Sequence, residues 1–172
     1  SLAFDNLGKP WISYYDAGLV RFYMTTNSQA DGRGTWSFYE FPAIPSGGAL
    51  ATPAANNTAM AMSYSGGSTA RPVMIVIDSN ATSKGVKAAV FNPSTRSWMF
   101  NSAAGTNVVT IDGLFAGLLG AAHLTADFNT SGSSVIGYQD LSLTKAKYAA
   151  TSDTATWTTP YAVSSVGQGP GS

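Results

Sequence analysis

Five aspartates raise the first chemical question in this chain: Asp5, Asp16, Asp78, Asp127 and Asp140. Glycoside hydrolysis of the usual kind wants two carboxylates about 5–9.5 Å apart, one to protonate the leaving oxygen and one to attack or to activate water. Asp16, Asp78 and Asp140 are spaced 62 residues apart, twice in succession. Each closes a short apolar run: Pro10 to Tyr15, Pro72 to Ile77 and Ser134 to Gln139. A residue that recurs at a fixed period serves the repeated unit, and an aspartate just after a strand accepts backbone N–H bonds and caps the turn. That structural role is the expectation for all three.

The remaining chemistry is thin. His123 is the single histidine, and no Gly-x-Ser-x-Gly elbow accompanies it, so a Ser-His-Asp arrangement has no support. The four arginines, Arg21, Arg33, Arg71 and Arg96, fall on different parts of the repeat and are not expected to converge. Asn27, Gln29 and Asp31 alternate in a polar loop but lack an acidic closing ligand for calcium. With no cysteine in the chain, disulfides and thiolate metal sites are excluded. No catalytic set, metal or cofactor is expected.

Aromatic residues are the other asset. Trp36 and Trp98 each lie 20 residues after their aspartate, and Trp157 lies 17 after its own. One tryptophan per repeat points to a space-filling role between neighbouring units. Trp11 has no tryptophan counterpart in the other copies. With Tyr14, Tyr15 and Tyr23 it forms the candidate ligand contact, since exposed Trp and Tyr stack on sugar rings or enter protein interfaces.

These residues need elements to hold them. Glu occurs once, at Glu40, while Ser, Thr, Asn, Ala and Gly are abundant; this balance disfavours helices and favours β-structure. The first unit reads as strands at Leu2 to Asp5, Trp11 to Tyr15, Leu19 to Thr25 and Thr35 to Phe41. The second reads as Ala59 to Tyr64, Val73 to Ile77, Val86 to Phe91 and Ser97 to Phe100. The third reads as Ala122 to Phe128, Val135 to Tyr138, Thr144 to Ala149 and Thr156 to Tyr161. Long Ala/Gly-rich segments, Ala43 to Asn57 and Ser102 to Ala121, join the units, and Asp112 to Leu119 reads as an apolar loop or a single helical turn. The expected fold is all-β: one repeat domain over 1–172, with three four-stranded blade-like repeats of a β-propeller at about 1–48, 49–110 and 111–172. A twelve-strand sandwich or an irregular β-solenoid is the alternative.

Two stretches carry a resemblance. Leu2-Ala3-Phe4-Asp5-x-x-Gly8-x-Pro10-x-Ile12-Ser13-Tyr14-Tyr15-Asp16 resembles the repeat of secreted bacterial β-propeller proteins, which are distantly similar to sialidase-type propellers. Ser28 to Trp36 resembles the Asp-box of that group, with Asp31, Thr35 and Trp36 in the motif's spacing and the serine and glycine displaced by one. In the third copy Thr151-x-Asp153 precedes Thr156-Trp157, one residue short, and the second copy keeps only Ser97-Trp98. The resemblance implies a fold, and a fold does not imply an activity.

Three blades do not close a ring, since propellers use roughly 4–8. Tail joined to head reads as one more linker running into a first strand, so the chain resembles a cut from a cyclic or longer array. The expected partners are further copies, as a closed dimer or a head-to-tail assembly, or further repeats of a longer chain, with a glycan as the second candidate. Nine basic and nine acidic residues cancel, and the charged fraction is 10%, which offers no basic patch for nucleic acid. No run approaches 18 apolar residues, so no membrane span is expected, and no leader peptide is read at the start. An extracellular or cell-surface location fits this composition. Asn56, Asn80 and Asn129 head N-x-S/T sequons and are the candidate glycosylation positions. The functional expectation is a non-catalytic module acting in assembly or surface presentation. A lectin-like module and a fragment of a glycosidase-like propeller are the alternatives.

Overall fold

The computed structural model describes residues 1–19, 21–42, 57–64, 70–78, 85–102, 104–113, 121–129, 131, 133–140 and 145–163. Asn56, Asn80, most of the first long linker, residues 103 and 114–120 of the second and the chain's last nine residues lie outside this set. The described residues contain strands and turns and no helix.

Three antiparallel sheets follow one another along the chain. The first is β1 (Leu2–Phe4), β2 (Pro10–Asp16), β3 (Arg21–Asn27) and β4 (Trp36–Glu40), hydrogen-bonded in chain order. The second is β5 (Thr58–Ser63), β6 (Arg71–Asp78), β7 (Gly85–Asn92) and β8 (Ser97–Trp98), with β9 (Val109–Asp112) also paired to β7. The third is β10 (Ala121–Phe128), β11 (Ser134–Asp140), β12 (Lys145–Thr151) and β13 (Tyr161–Ala162). The sheets do not close into a ring.

The middle sheet is covered on both sides, and strand alternation explains how. Val73, Ile75 and Ile77 of β6 join Ile136, Tyr138 and Ala149 of the third sheet in one core. Met74 and Val76, pointing the other way, join Trp11, Phe22 and Met24 of the first sheet in a second core. Full burial of such side chains stabilises by roughly 1.5–3 kcal/mol each, which is why β6 reads as an unbroken apolar run. β5 lies against β1 and β2 on one side and β10 on the other, and Ser13 Oγ meets Thr58 Oγ1 at 2.8 Å across the first of these contacts. Each sheet thus has a leading face, turned toward the sheet before it in the chain, and a trailing face, turned toward the one after.

Several expected boundaries shift. The outer edge of β7 is shared: Phe91 and Asn92 pair with β8, while Val86 to Ala88 pair with β9. The fourth strand of the middle unit is therefore split, and Asp112, expected in a loop or helical turn, ends a strand. β9 also straddles the expected repeat boundary at 110. In the third unit Thr156 to Tyr161 is not a strand. Trp157 makes an isolated bridge to Thr151, and the edge strand is only Tyr161–Ala162. Thr151 and Asp153 draw that segment into a turn instead, with Thr156 N donating to Asp153 Oδ1 at 2.8 Å. These backbone bonds, first from Thr156 and then from Ala155, hold the Asp153 carboxyl below its ordinary value.

Candidate functional site

The three periodic aspartates end equivalent strands. Asp16 Oδ1 accepts the backbone N–H groups of Gly18 and Leu19 at 2.8 and 3.0 Å, which is a turn cap. Asp78 and Asp140 are each buried and paired with a lysine, and the turns that follow them lie outside the described residues. Lys87 Nζ lies 2.7 Å from Asp78 Oδ2, and Lys147 Nζ lies 2.7 Å from Asp140 Oδ2. The register supplies the reason. Asp78 pairs with Gly85 and Asp140 with Lys145, so the side chain two residues further along the third strand lies diagonally in reach. That position holds Lys87, Lys147 and, in the first sheet, Tyr23. With no lysine opposite, Asp16 is left to its turn.

Lys147 also reaches Asp112 Oδ2 at 3.1 Å, and the Tyr138 hydroxyl donates a hydrogen bond to the same oxygen. Asp112 and Asp140 share one lysine at the contact of the second and third sheets. Burial pushes the Tyr138 hydroxyl up, and the bond to Asp112 adds to this. Burial pulls the Lys147 ammonium down, but its bonds to Asp140 and Asp112 outweigh that, and the net direction is up. These carboxylates are enclosed and held by cationic and hydroxyl donors. Among the described residues no group of three or more His, Cys, Asp or Glu side chains gathers where a metal ion could sit, and no helix is long and apolar enough to cross a membrane.

The arginines stay apart. Arg21 pairs with Glu40 on the first sheet, Arg33 is exposed in the loop before β4, and Arg71 and Arg96 line two different grooves. His123 is exposed, at positive φ within the irregular stretch of β10.

Trp36, Trp98 and Trp157 hold one position. They pair with Asn27, Phe91 and Thr151, the ends of the third strands or their equivalents. Trp98 faces the first sheet, packs edge-on to Phe41 and Phe91, and donates Nε1 to Glu40 O at 2.7 Å. Trp157 packs into the core between the second and third sheets. Trp36 stands on the leading face of the first sheet, against which no described strand packs, and is 37% exposed.

The candidate ligand aromatics divide. Trp11 is 4% exposed, set against Phe91 and donating Nε1 to Asp5 Oδ2 at 3.3 Å, so its ring offers no free face. Tyr15 packs on Phe22 at the same buried side. Tyr14 and Tyr23 are cross-strand partners whose rings stack at 5.8 Å on the leading face of the first sheet. Burial first, then the nearby Asp16 charge, raises the Tyr14 hydroxyl. Leu2, Phe4 and Phe38 share that face, and Phe38 is 63% exposed.

The loop before Trp36 is organised by a residue outside the Asp-box resemblance. Buried Asn27 donates Nδ2 to Gly32 O and Gly34 O at 2.9 and 3.1 Å. Its Oδ1 accepts from Gln29 N and Gly34 N at 2.9 and 3.0 Å. Asp31 is exposed and accepts one local bond, from Arg33 N.

A groove of about 260 Å3 lies between the first and second sheets, with Asp5, Lys9, Trp11, Thr26 and Asn27 on one wall and Ala70, Pro93 and Arg96 opposite. A second, of about 370 Å3, lies open on the third sheet, lined by residues that include Asn129, Ser133, Val135, Ala150 and Thr151. Asn129, the described sequon residue, is exposed, and its Oδ1 accepts from Ser131 N and Ser133 N. No protein-family model matches this chain, and no curated protein matches it.

Proposed function

We propose that this chain is a non-catalytic module of β-propeller blade-like sheets that acts by self-association or surface presentation, outside the cell or at its surface. The observation that carries this reading is the leading face of the first sheet. Leu2, Phe4, Tyr14, Tyr23, Trp36 and Phe38 stand there with no sheet of the described residues over them, whereas Met74 and Val76 on the corresponding face of the middle sheet are fully buried. A contiguous aromatic face of this kind marks an interaction surface. The low charge and the Ser/Thr/Gly-rich composition suit the extracellular part of the reading, as does Asn129, exposed on its turn, as a glycan acceptor.

Light scattering across a concentration series, with negative-stain images of the same sample, tests the reading. A dimer or longer particles are expected. A monomer at every concentration up to the hundred-micromolar range would sink it.

A lectin-like role is the second reading. It is favoured by the stacked Tyr14–Tyr23 pair and by the groove that sets Lys9 and Arg96 beside Asp5 and Asn27. A glycan array separates the two, since a sugar binder gives saccharide-specific signals that an assembly module does not.

A further inference from the structure

The leading face of the first sheet and the trailing face of the third correspond in position to faces that meet twice within this chain. In the second and third sheets, the leading face carries the aspartate and the two residues at alternate positions before it. Met74, Val76 and Asp78 are buried against the first sheet; Ile136, Tyr138 and Asp140 are buried against the second. Ile12, Tyr14 and Asp16 hold the same places in the first sheet and are only half-buried. The trailing faces behave in the converse way. Trp11 and Ser13 in the first sheet and Val73, Ile75 and Ile77 in the second are buried, while Val135 in the third is 54% exposed.

The grooves make the same point independently. Asp5, Lys9, Trp11, Thr26 and Asn27 line the groove between the first two sheets, and Asn129, Ser133, Val135, Ala150 and Thr151 line the open groove on the third. Each residue of the second set lies 124 residues after its counterpart in the first, which is two periods of 62. The turns agree in detail: Asp5 Oδ1 accepts from Leu7 N and Lys9 N as Asn129 Oδ1 accepts from Ser131 N and Ser133 N. The open groove is therefore one wall of the repeated groove. Among the described residues it lacks the opposite wall, which the following sheet supplies in the first case through Ala70, Pro93 and Arg96.

We infer that the occupant of each open face is a second copy of this chain, docked so that the leading face of its first sheet covers the trailing face of the third sheet. This rests on the assembly reading above and adds which surfaces meet. The contact is heterologous, head to tail, and repeats the sheet-on-sheet packing within the chain. Tyr14, Tyr23, Trp36 and Phe38 of one copy meet Val135, Ala150 and the Asn129 turn of the other. Trp98 donates to the carbonyl of Glu40, which pairs with Tyr23; Ala162 pairs with Lys147, at Tyr23's position two periods on. The Ala162 carbonyl is thus the acceptor offered to Trp36 of the adjoining copy.

The test uses two surface variants, Phe38→Arg and Val135→Arg, each checked for fold by circular dichroism and thermal unfolding. Each variant alone has lost one of the two faces and is expected to be monomeric by light scattering. An equimolar mixture restores one intact pair of faces and is expected to give a discrete heterodimer. Its indole emission shifts to the blue relative to the separate variants, and this shift is absent when the Val135→Arg copy also carries Trp36→Phe. A variant that alone still associates like the wild type would overturn the head-to-tail pairing in favour of like-on-like contact. A mixture that stays monomeric while the wild type associates would overturn the pairing and leave the assembly reading standing. A wild type that is itself monomeric overturns both.

Discussion

Lys87 lies with its ammonium 2.7 Å from the carboxylate of Asp78, both side chains almost fully enclosed between the first and second sheets. Asp140 and Lys147 repeat that diagonal one period later, between the second and third. A repeat-end aspartate thereby neutralises a lysine inside a sheet-on-sheet contact, a role that its place after an apolar run does not announce.

Breaking one side of this pair leaves a buried charge. Lys87→Met or Asp78→Leu alone is expected to cost about 3–5 kcal/mol, whereas the double variant, which removes both charges, is expected to lie much closer to the parent. Urea unfolding of the three variants measures this. Near-additive losses would show that the pair is not coupled.

Alkaline pH should loosen the contact of the second and third sheets. Tyr138 and Lys147 both have raised values in the folded protein. Their contribution is therefore fully present below the unfolded values of about 10 and 10.4, and it is lost as pH rises through the folded ones, because the native state then holds more protons than the unfolded state. Stability from denaturant titrations is expected to fall above about pH 10. Tyr138→Phe and Lys147→Met should each flatten that fall while lowering stability at neutral pH.

Asn27 should matter more than Asp31. Asn27→Ala removes an amide that makes four hydrogen bonds in the Ser28 to Thr35 loop and is expected to cost about 1–3 kcal/mol. Asp31→Ala is expected to stay within about 0.5 kcal/mol of the parent. Trypsin cleavage after Arg33 gives a local readout, faster in the first variant and unchanged in the second.

Gly85→Ala should displace β9. A Cβ on Gly85 would stand 2.4 Å from the backbone oxygen of Asp112, so the strand carrying Asp112 must move and with it the Tyr138 and Lys147 contacts. A loss of about 1–3 kcal/mol is expected from such overpacking, together with faster amide exchange over Val109 to Asp112.

Much of the architecture was legible in the chain because it depends on local pattern and period. The all-β class, three successive antiparallel sheets and the unbroken apolar run of β6 follow from alternation, turn residues and the 62-residue spacing, and these depend on neighbours along the backbone. The split of the fourth strand into β8 and β9 was not legible, since a two-residue strand and a distant four-residue strand complete one edge only once β7 is in place. The pairing of Asp78 and Asp140 with lysines needed the cross-strand register that sets Tyr23, Lys87 and Lys147 at the same diagonal. Trp11 looked like an exposed contact because it lacks a counterpart; it is buried because its strand parity points it at the second sheet. Sequence alone determined which residues share a face, through the two-residue period of a strand. Which faces are covered, and which stand open, was decided only by how the sheets stack, because burial is a relation between segments far apart in the chain.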